Sequence, residues 1–209
     1  QALIIEDLDA IRNFPGVRNA ITTNSVPIRD GGWSQLLQTE PGDDIDGTGS
    51  GLYFVDEHGI DTFGVDLIAG RNFMPSDVAW FDPDANGHRW PDSIIVSSAL
   101  ARSMFPDSDP AEVVGKVVYI EMHQPITIIG VLDTLQASWK SWSKVEHAMF
   151  VPQKRAWSAA NYVIRTEPGY RDELIPQIEG MLAESNRGRI IRGTRTMTEI
   201  RQQIGRAHV

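Results

Sequence analysis

The chain has 209 residues, 41% of them hydrophobic, no cysteine, and a formal charge of −9 at neutral pH. That sign argues against nucleic acid as a partner, since such affinity comes from lysines and arginines displacing counterions from phosphates. Disulfides, thiolate metal sites and cysteine nucleophiles are excluded by composition, and a thiol-free chain suits an oxidising compartment.

The length permits one large domain or two small ones, and no apolar run reaches the roughly 18–20 residues that a membrane-spanning helix needs. Gln1 opens the chain in place of Met, with no basic segment leading into an apolar one, so the start is not a signal peptide and the chain reads as an excerpt of a longer protein. Residues 2–13 place Ile4, Leu8 and Ile11 at i, i+4 and i+7, which predicts an amphipathic helix. Glu6, Asp7 and Asp9 precede Arg12, the order favoured by the helix dipole, and Pro15-Gly16 stops the helix.

Residues 17–26 and 52–56 predict strands, separated by a polar, glycine-rich loop over 31–51. Ile60, Phe63 and Leu67 predict a short helix within 59–70, and residues 74–91 a loop rich in proline and aspartate. Ile94, Ile95 and Val96 form a buried strand, after which Ser97 or Ser98 caps a helix carrying Leu100, Ala101, Met104 and Phe105, ended by Pro106. Residues 117–121 and 126–132 read as a hairpin across His123-Gln124-Pro125, and 148–151 as a further strand.

The last third reads as a β-α-β unit: strand 162–165, a helix carrying Tyr170, Leu174, Ile178, Met181 and Leu182, and strand 189–192. Pro176 requires that this helix either start near Asp172 or kink. Thr196 and Glu199 fit a capping box, followed by Ile200 and Ile204 on one face. Helices at both ends suit a domain spliced between two membrane helices; frayed terminal helices of an independent domain are the alternative. The fold class is α+β. Residues 73–152 are strand-rich, as expected for a β-rich subdomain inserted into an α/β subdomain made of 1–72 and 153–209.

Arrangements that activate a nucleophile or hold a metal are sparse. The chain has no Gly-x-Ser-x-Gly elbow, no His-Glu-x-x-His pair and no Walker loop. Gly47-Thr-Gly-Ser-Gly51 lacks the strand and helix of a phosphate cradle and reads as a flexible loop. Asp82, Asp84 and Asn86, followed by Gly87, match the first half of a calcium loop, but its twelfth position is Ser93. Asp44-Ile-Asp46 fails similarly, and the five histidines share no ligand spacing. Trp139 and Trp142 are candidates for partner contact, because indoles bury large area with few rotors.

Several pieces, in order, resemble the MacB-like periplasmic core domain, the extracytoplasmic part of MacB/FtsX-type ABC transporter permeases. They are Asp7-Leu8, Ile11 and Pro15-Gly-Val17; Tyr53-Phe54; Gly59-Ile60; Phe63-Gly64; and Gly70-Arg-Asn-Phe73. Ile95-Val-Ser97, Leu100-Ala101, Phe105-Pro106, Gly115-Lys116 and Ile129-Gly-Val131 complete the match. The family places Gly-Lys soon after Asp-Pro, whereas Ala-Glu-Val-Val separates Asp109-Pro110 from Gly115 here, a surface insertion of small cost.

The resemblance implies a porter-like α/β part and an inserted β-rich, Sabre-like part, with no cofactor and no catalysis in this domain. It also implies a bacterial cell-membrane location on the extracytoplasmic side and a cytoplasmic ATPase that burns the fuel. A second permease copy as dimer partner, flanking transmembrane helices, and a periplasmic adaptor or lipoprotein as partner follow from it too. In that picture Leu8, Ile11, Ile200 and Ile204 lie on the helices that couple to the membrane. The alternatives are a ligand-binding module and a hydrolase using carboxylates among Asp82, Asp84 and Asp92.

Overall fold

The computed structural model describes residues 2–81, 89–156, 160–186, 188 and 190–206, with side chains to 203. In chain order the elements begin α1 (Ala2–Arg12), β1 (Val17–Thr23), β2 (Trp33–Gln38), β3 (Thr48–Val55), α2 (Gly59–Phe63), β4 (Leu67–Gly70) and β5 (Ala79–Trp80). They continue with β6 (Ser93–Ser97), α3 (Ser98–Met104), α4 (Pro110–Val113), β7 (Val117–Ile120), β8 (Gln124–Leu132) and β9 (Ala148–Lys154). β10 (Asn161–Thr166), α5 (Arg171–Ser185) and α6 (Met197–Arg206) complete the chain.

Strand β3 bonds β2 on one side and β9 on the other, so the path β3-β2-β7-β8-β6-β9 returns to β3 and closes a barrel of mixed strand direction. The period-2 alternation of each strand sorts its side chains. Leu52, Phe54, Ile94, Val96, Met149 and Val151 share the interior core, into which α3 and α4 insert Leu100, Ala101 and Val113. Tyr53, Val55, Ile95 and Phe150 form an outer cluster, where Phe63 of α2 lies 5.2 Å from the Tyr53 ring and 5.1 Å from that of Phe150.

Strands β1 and β10 form a separate antiparallel pair laid against that outer face. Ile21 and its partner Val163 face the barrel cluster, whereas Ala20 and its partner Ile164 face α1 and α5. Layering is therefore helix pair, two-stranded sheet, barrel. Pairing crosses residue 72, because β4 bonds β8 and β3 bonds β9.

Ser97 caps α3 as expected, and its buried hydroxyl does three jobs. It accepts from the Leu100 amide at 3.3 Å and the Ala148 amide at 3.2 Å, and donates to the Glu146 carbonyl at 2.6 Å. Ser97→Ala orphans all three groups at once and should lower unfolding stability by about 2–3 kcal/mol, above an ordinary cap loss. Chemical denaturation measures this; a loss below about 0.5 kcal/mol would show that water replaces the hydroxyl.

Four expectations are corrected. Residues 31–51 hold β2 and the start of β3, because β7 and β3 supply pairing that local composition does not announce. The helix expected over 59–70 ends at Phe63: Gly64 takes φ 66, and residues 67–70 pair with β8. Ile60, Phe63 and Leu67 nonetheless meet in one cluster, which is why their spacing imitates a helix face.

The hairpin turn lies at 121–123, with Glu121 at φ 49 and Met122 at φ 67, so Gln124 and Pro125 belong to β8. The strand expected at 189–192 is absent among the described residues. Ile190 is 83% exposed in an irregular segment, since two isoleucines between arginines offer no alternating face to bury. Among the described residues no strand follows α5 to complete a β-α-β unit, and α5 starts at Arg171 and runs through Pro176 as one helix.

Candidate coupling site

Helix α1 buries Leu8 and Ile11 against Ala20, Leu174, Ile178 and Leu182, so two of the expected coupling residues sit at the centre of the helix layer. Asp7, buried beside them, accepts from the Tyr162 hydroxyl at 2.6 Å and from Ser185 at 3.3 Å, tying α1 to β10 and to the end of α5. Tyr170 lies over Gly16 in the turn after α1. A Cβ there would meet its ring at 2.4 Å, which accounts for glycine at φ 88 in Pro15-Gly16.

Arg12, in the last turn of α1, reaches out of this layer. Its guanidinium donates to the Ala20 carbonyl at 2.9 and 2.6 Å and to the Asp56 carboxylate at 3.0 Å. Asp56 is 3% exposed at the end of β3; its other oxygen accepts from the His58 amide at 3.0 Å, and Lys154 of β9 stands 3.8 Å away. The sequence shows Arg12 only as a dipole partner. Asp56 and Lys154 carry no motif, and only the fold brings the three together.

At the other end, the capping box of α6 forms as expected: the Thr196 amide donates to Glu199 at 2.7 Å and the Glu199 amide to the Thr196 hydroxyl at 3.1 Å. Thr194 also donates to Glu179 of α5. Ile200 is buried at 5% exposure, while the side chain of Ile204 lies outside the described residues. Arg201 joins Ile28, Gln136, Lys140 and Val145 around an open cleft of about 360 Å³, which separates α6 from the loop between β8 and β9.

That loop carries Trp139 and Trp142, both half-buried and packed edge to face at 5.8 Å. It is seated on β3. A Cβ at Gly49 would meet Trp142 at 3.2 Å, and one at Gly51 would meet Ala137 at 2.7 Å. The cluster expected as a flexible loop is thus strand, and its glycines clear a track on the outer barrel face. Beside it, burial holds the His147 imidazole below its ordinary pKa.

The calcium-loop candidates Asp82, Asp84 and Asn86 lie outside the described residues. Asp92 is exposed and pairs with Arg89 at 2.9 Å. Among the described residues no group of three histidines or carboxylates is placed to hold a metal, and no helix is long and apolar enough to cross a membrane.

This architecture is that of extracytoplasmic domains of ABC-type transporters. It aligns with the extracellular domain of the noncanonic ABC-type transporter YknZ from Gram-positive bacteria at a TM-score of 0.54 and 19% identity, over 86% of this chain and 81% of that one. It also aligns with the periplasmic region of MacB from Actinobacillus actinomycetemcomitans at a TM-score of 0.54 and 16% identity, over 86% and 72% of the two chains. No curated protein matches the sequence. The model of the MacB-like periplasmic core domain family matches residues 1–185, and the chain belongs to that family.

Proposed function

We propose that this domain is a non-catalytic relay in an ABC transporter permease, carrying motion between flanking membrane helices and partners on the extracytoplasmic side of a bacterial membrane. Family membership supports the setting, in which ATP hydrolysis belongs to a separate cytoplasmic domain and permeases work as dimers. The observation that carries the reading is that α1 is held to the packed body through Leu8, Ile11, Asp7 and Arg12, while the segment entering α6 bonds α5 through Thr194 and Glu179 and α6 buries Ile200. Packed cores transmit displacement in discrete steps because they do not deform continuously.

The porter-like part of this reading is the layer of α1, β1, β10 and α5, and the Sabre-like part is the barrel. The separate cores of these two parts support drawing the division beside β1 and β10 in this reading. The half-exposed edges of Trp139 and Trp142 are the surface we assign to a periplasmic adaptor or lipoprotein. Nothing in this reading asks the domain for a cofactor.

The relay is tested in the intact permease by Glu6→Cys with Arg201→Cys, two exposed positions in a chain free of other cysteines within these residues. Joining them with a bifunctional reagent should abolish transport while each single variant transports normally. Full transport by the joined protein would overturn the relay.

A further inference from the structure

We propose that Asp56 is the anchor that sets the angle of α1 on the barrel, a residue-level account that rests on the relay reading. The apolar contacts of α1 are spent within its own layer: Leu8 and Ile11 meet β1 and α5, and no barrel residue joins their core. The two-stranded sheet of that layer meets the barrel and α2 through Ile21 and Val163, through Arg18, Asn19 and Arg165 on Asp61, and through Asn24 on Leu52 and Phe54, whereas α1 itself reaches the barrel by Arg12. Apolar contacts have no direction and permit sliding, whereas a buried, hydrogen-bonded ion pair fixes both distance and orientation.

The Arg12–Asp56 pair supplies that direction. One guanidinium holds the Ala20 carbonyl of β1 and the Asp56 carboxylate at the end of β3, so helix, two-stranded sheet and barrel meet at a single side chain. Asp56 cannot follow α1 freely. Its Oδ1 is committed to the His58 amide, its carbonyl accepts from the Gly59 amide at 3.0 Å, and Lys154 of β9 faces its Oδ2 at 3.8 Å. A displacement of α1 therefore loads β3, α2 and β9 together. Removing the Asp56 charge leaves Arg12 on the Ala20 carbonyl alone, so the tie between helix and barrel is lost while the tie between helix and sheet remains.

Spin labels on Ile5→Cys of α1 and Ser103→Cys of α3, both exposed, report the angle as a distance distribution in the intact permease without nucleotide. Asp56→Asn keeps the shape and removes the charge; it should broaden the distribution about twofold or more, because the minor orientations it releases become populated. Arg12→Lys, which retains charge but loses the planar fork to Ala20, should fall between that variant and the parent. Hydrogen exchange in β6 and β8 should stay at parental levels in both, separating loss of the anchor from loss of fold.

Leu8→Ala, which weakens packing inside the layer only, should leave the distribution narrow. An unchanged width in Asp56→Asn with the barrel still protected, or equal broadening by Leu8→Ala, overturns the anchor. Since transport is never read, that result is independent of the cysteine-joining experiment that tests the relay.

Discussion

Gly70→Ala should be among the most damaging single-atom-scale changes in this domain, lowering unfolding stability by about 2–5 kcal/mol. Two costs add. At φ 78 an L side chain is strained by roughly 1–2 kcal/mol. The new Cβ would also stand 2.2 Å from the Ile129 carbonyl oxygen and 2.8 Å from the Gly130 Cα, both backbone atoms that cannot rotate away. Gly70 pairs with Gly130 where β4 crosses β8, and the same Ile129 carbonyl accepts from the Arg71 amide at 3.0 Å, so relief of the clash costs that bond.

Gly115→Ala is the internal control. Its φ of 89 carries similar strain, but a Cβ there meets nothing within 4 Å, so it should cost only about 1–2 kcal/mol. Urea titrations of the two variants separate strain from collision; equal midpoint shifts would show that β4 moves aside at no cost.

The same pair of glycines shows how much could be read from sequence. Gly70-Arg-Asn-Phe73 and Ile129-Gly-Val131 were legible as separate family-like pieces, yet they are two halves of one close strand crossing. Local signals survived where chemistry is local: the Ser97 cap, the Thr196–Glu199 box, the stop after α1 and the buried run of β6. They failed where pairing comes from afar. β2 lies in a polar stretch and owes its existence to β3 and β7, and Leu67 imitates a helical position because the strand it belongs to returns to the same cluster as Phe63.

The coupling residues divide in the same way. Leu8 and Ile11 were visible through helical periodicity, and the structure puts both in the layer core. Asp56 follows a strand with no pattern to mark it, and what makes it consequential is burial plus the approach of Arg12 and Lys154 from elements distant in sequence. Indole content is the one signal by which the sequence marks Trp139 and Trp142. Their seat on a glycine track explains why Gly49 and Gly51 alternate in β3, a spacing that composition reads as flexibility.

Ile11→Ala should separate the two cores. Ile11 is fully buried, and replacing such a side chain by alanine costs about 2–5 kcal/mol through lost burial and the cavity left behind. The loss falls on the small core shared by α1, β1, β10 and α5, and not on the barrel interior, to which Ile11 makes no contribution. Hydrogen exchange should therefore accelerate by roughly 30-fold or more in α1 and β1, at about 1.4 kcal/mol per tenfold, while β6 and β8 keep their protection.

Ile5→Ala on the exposed side of the same helix should change exchange little, since Ile5 is 45% exposed and surface substitutions stay within about 0.5 kcal/mol. Uniform acceleration across α1 and the barrel in Ile11→Ala would instead mean that layer and barrel unfold as one unit. A relay that passes the displacement of α1 to the barrel through Arg12 and Asp56 needs the first outcome, because only a layer with its own stability can load its neighbour at that contact without melting it.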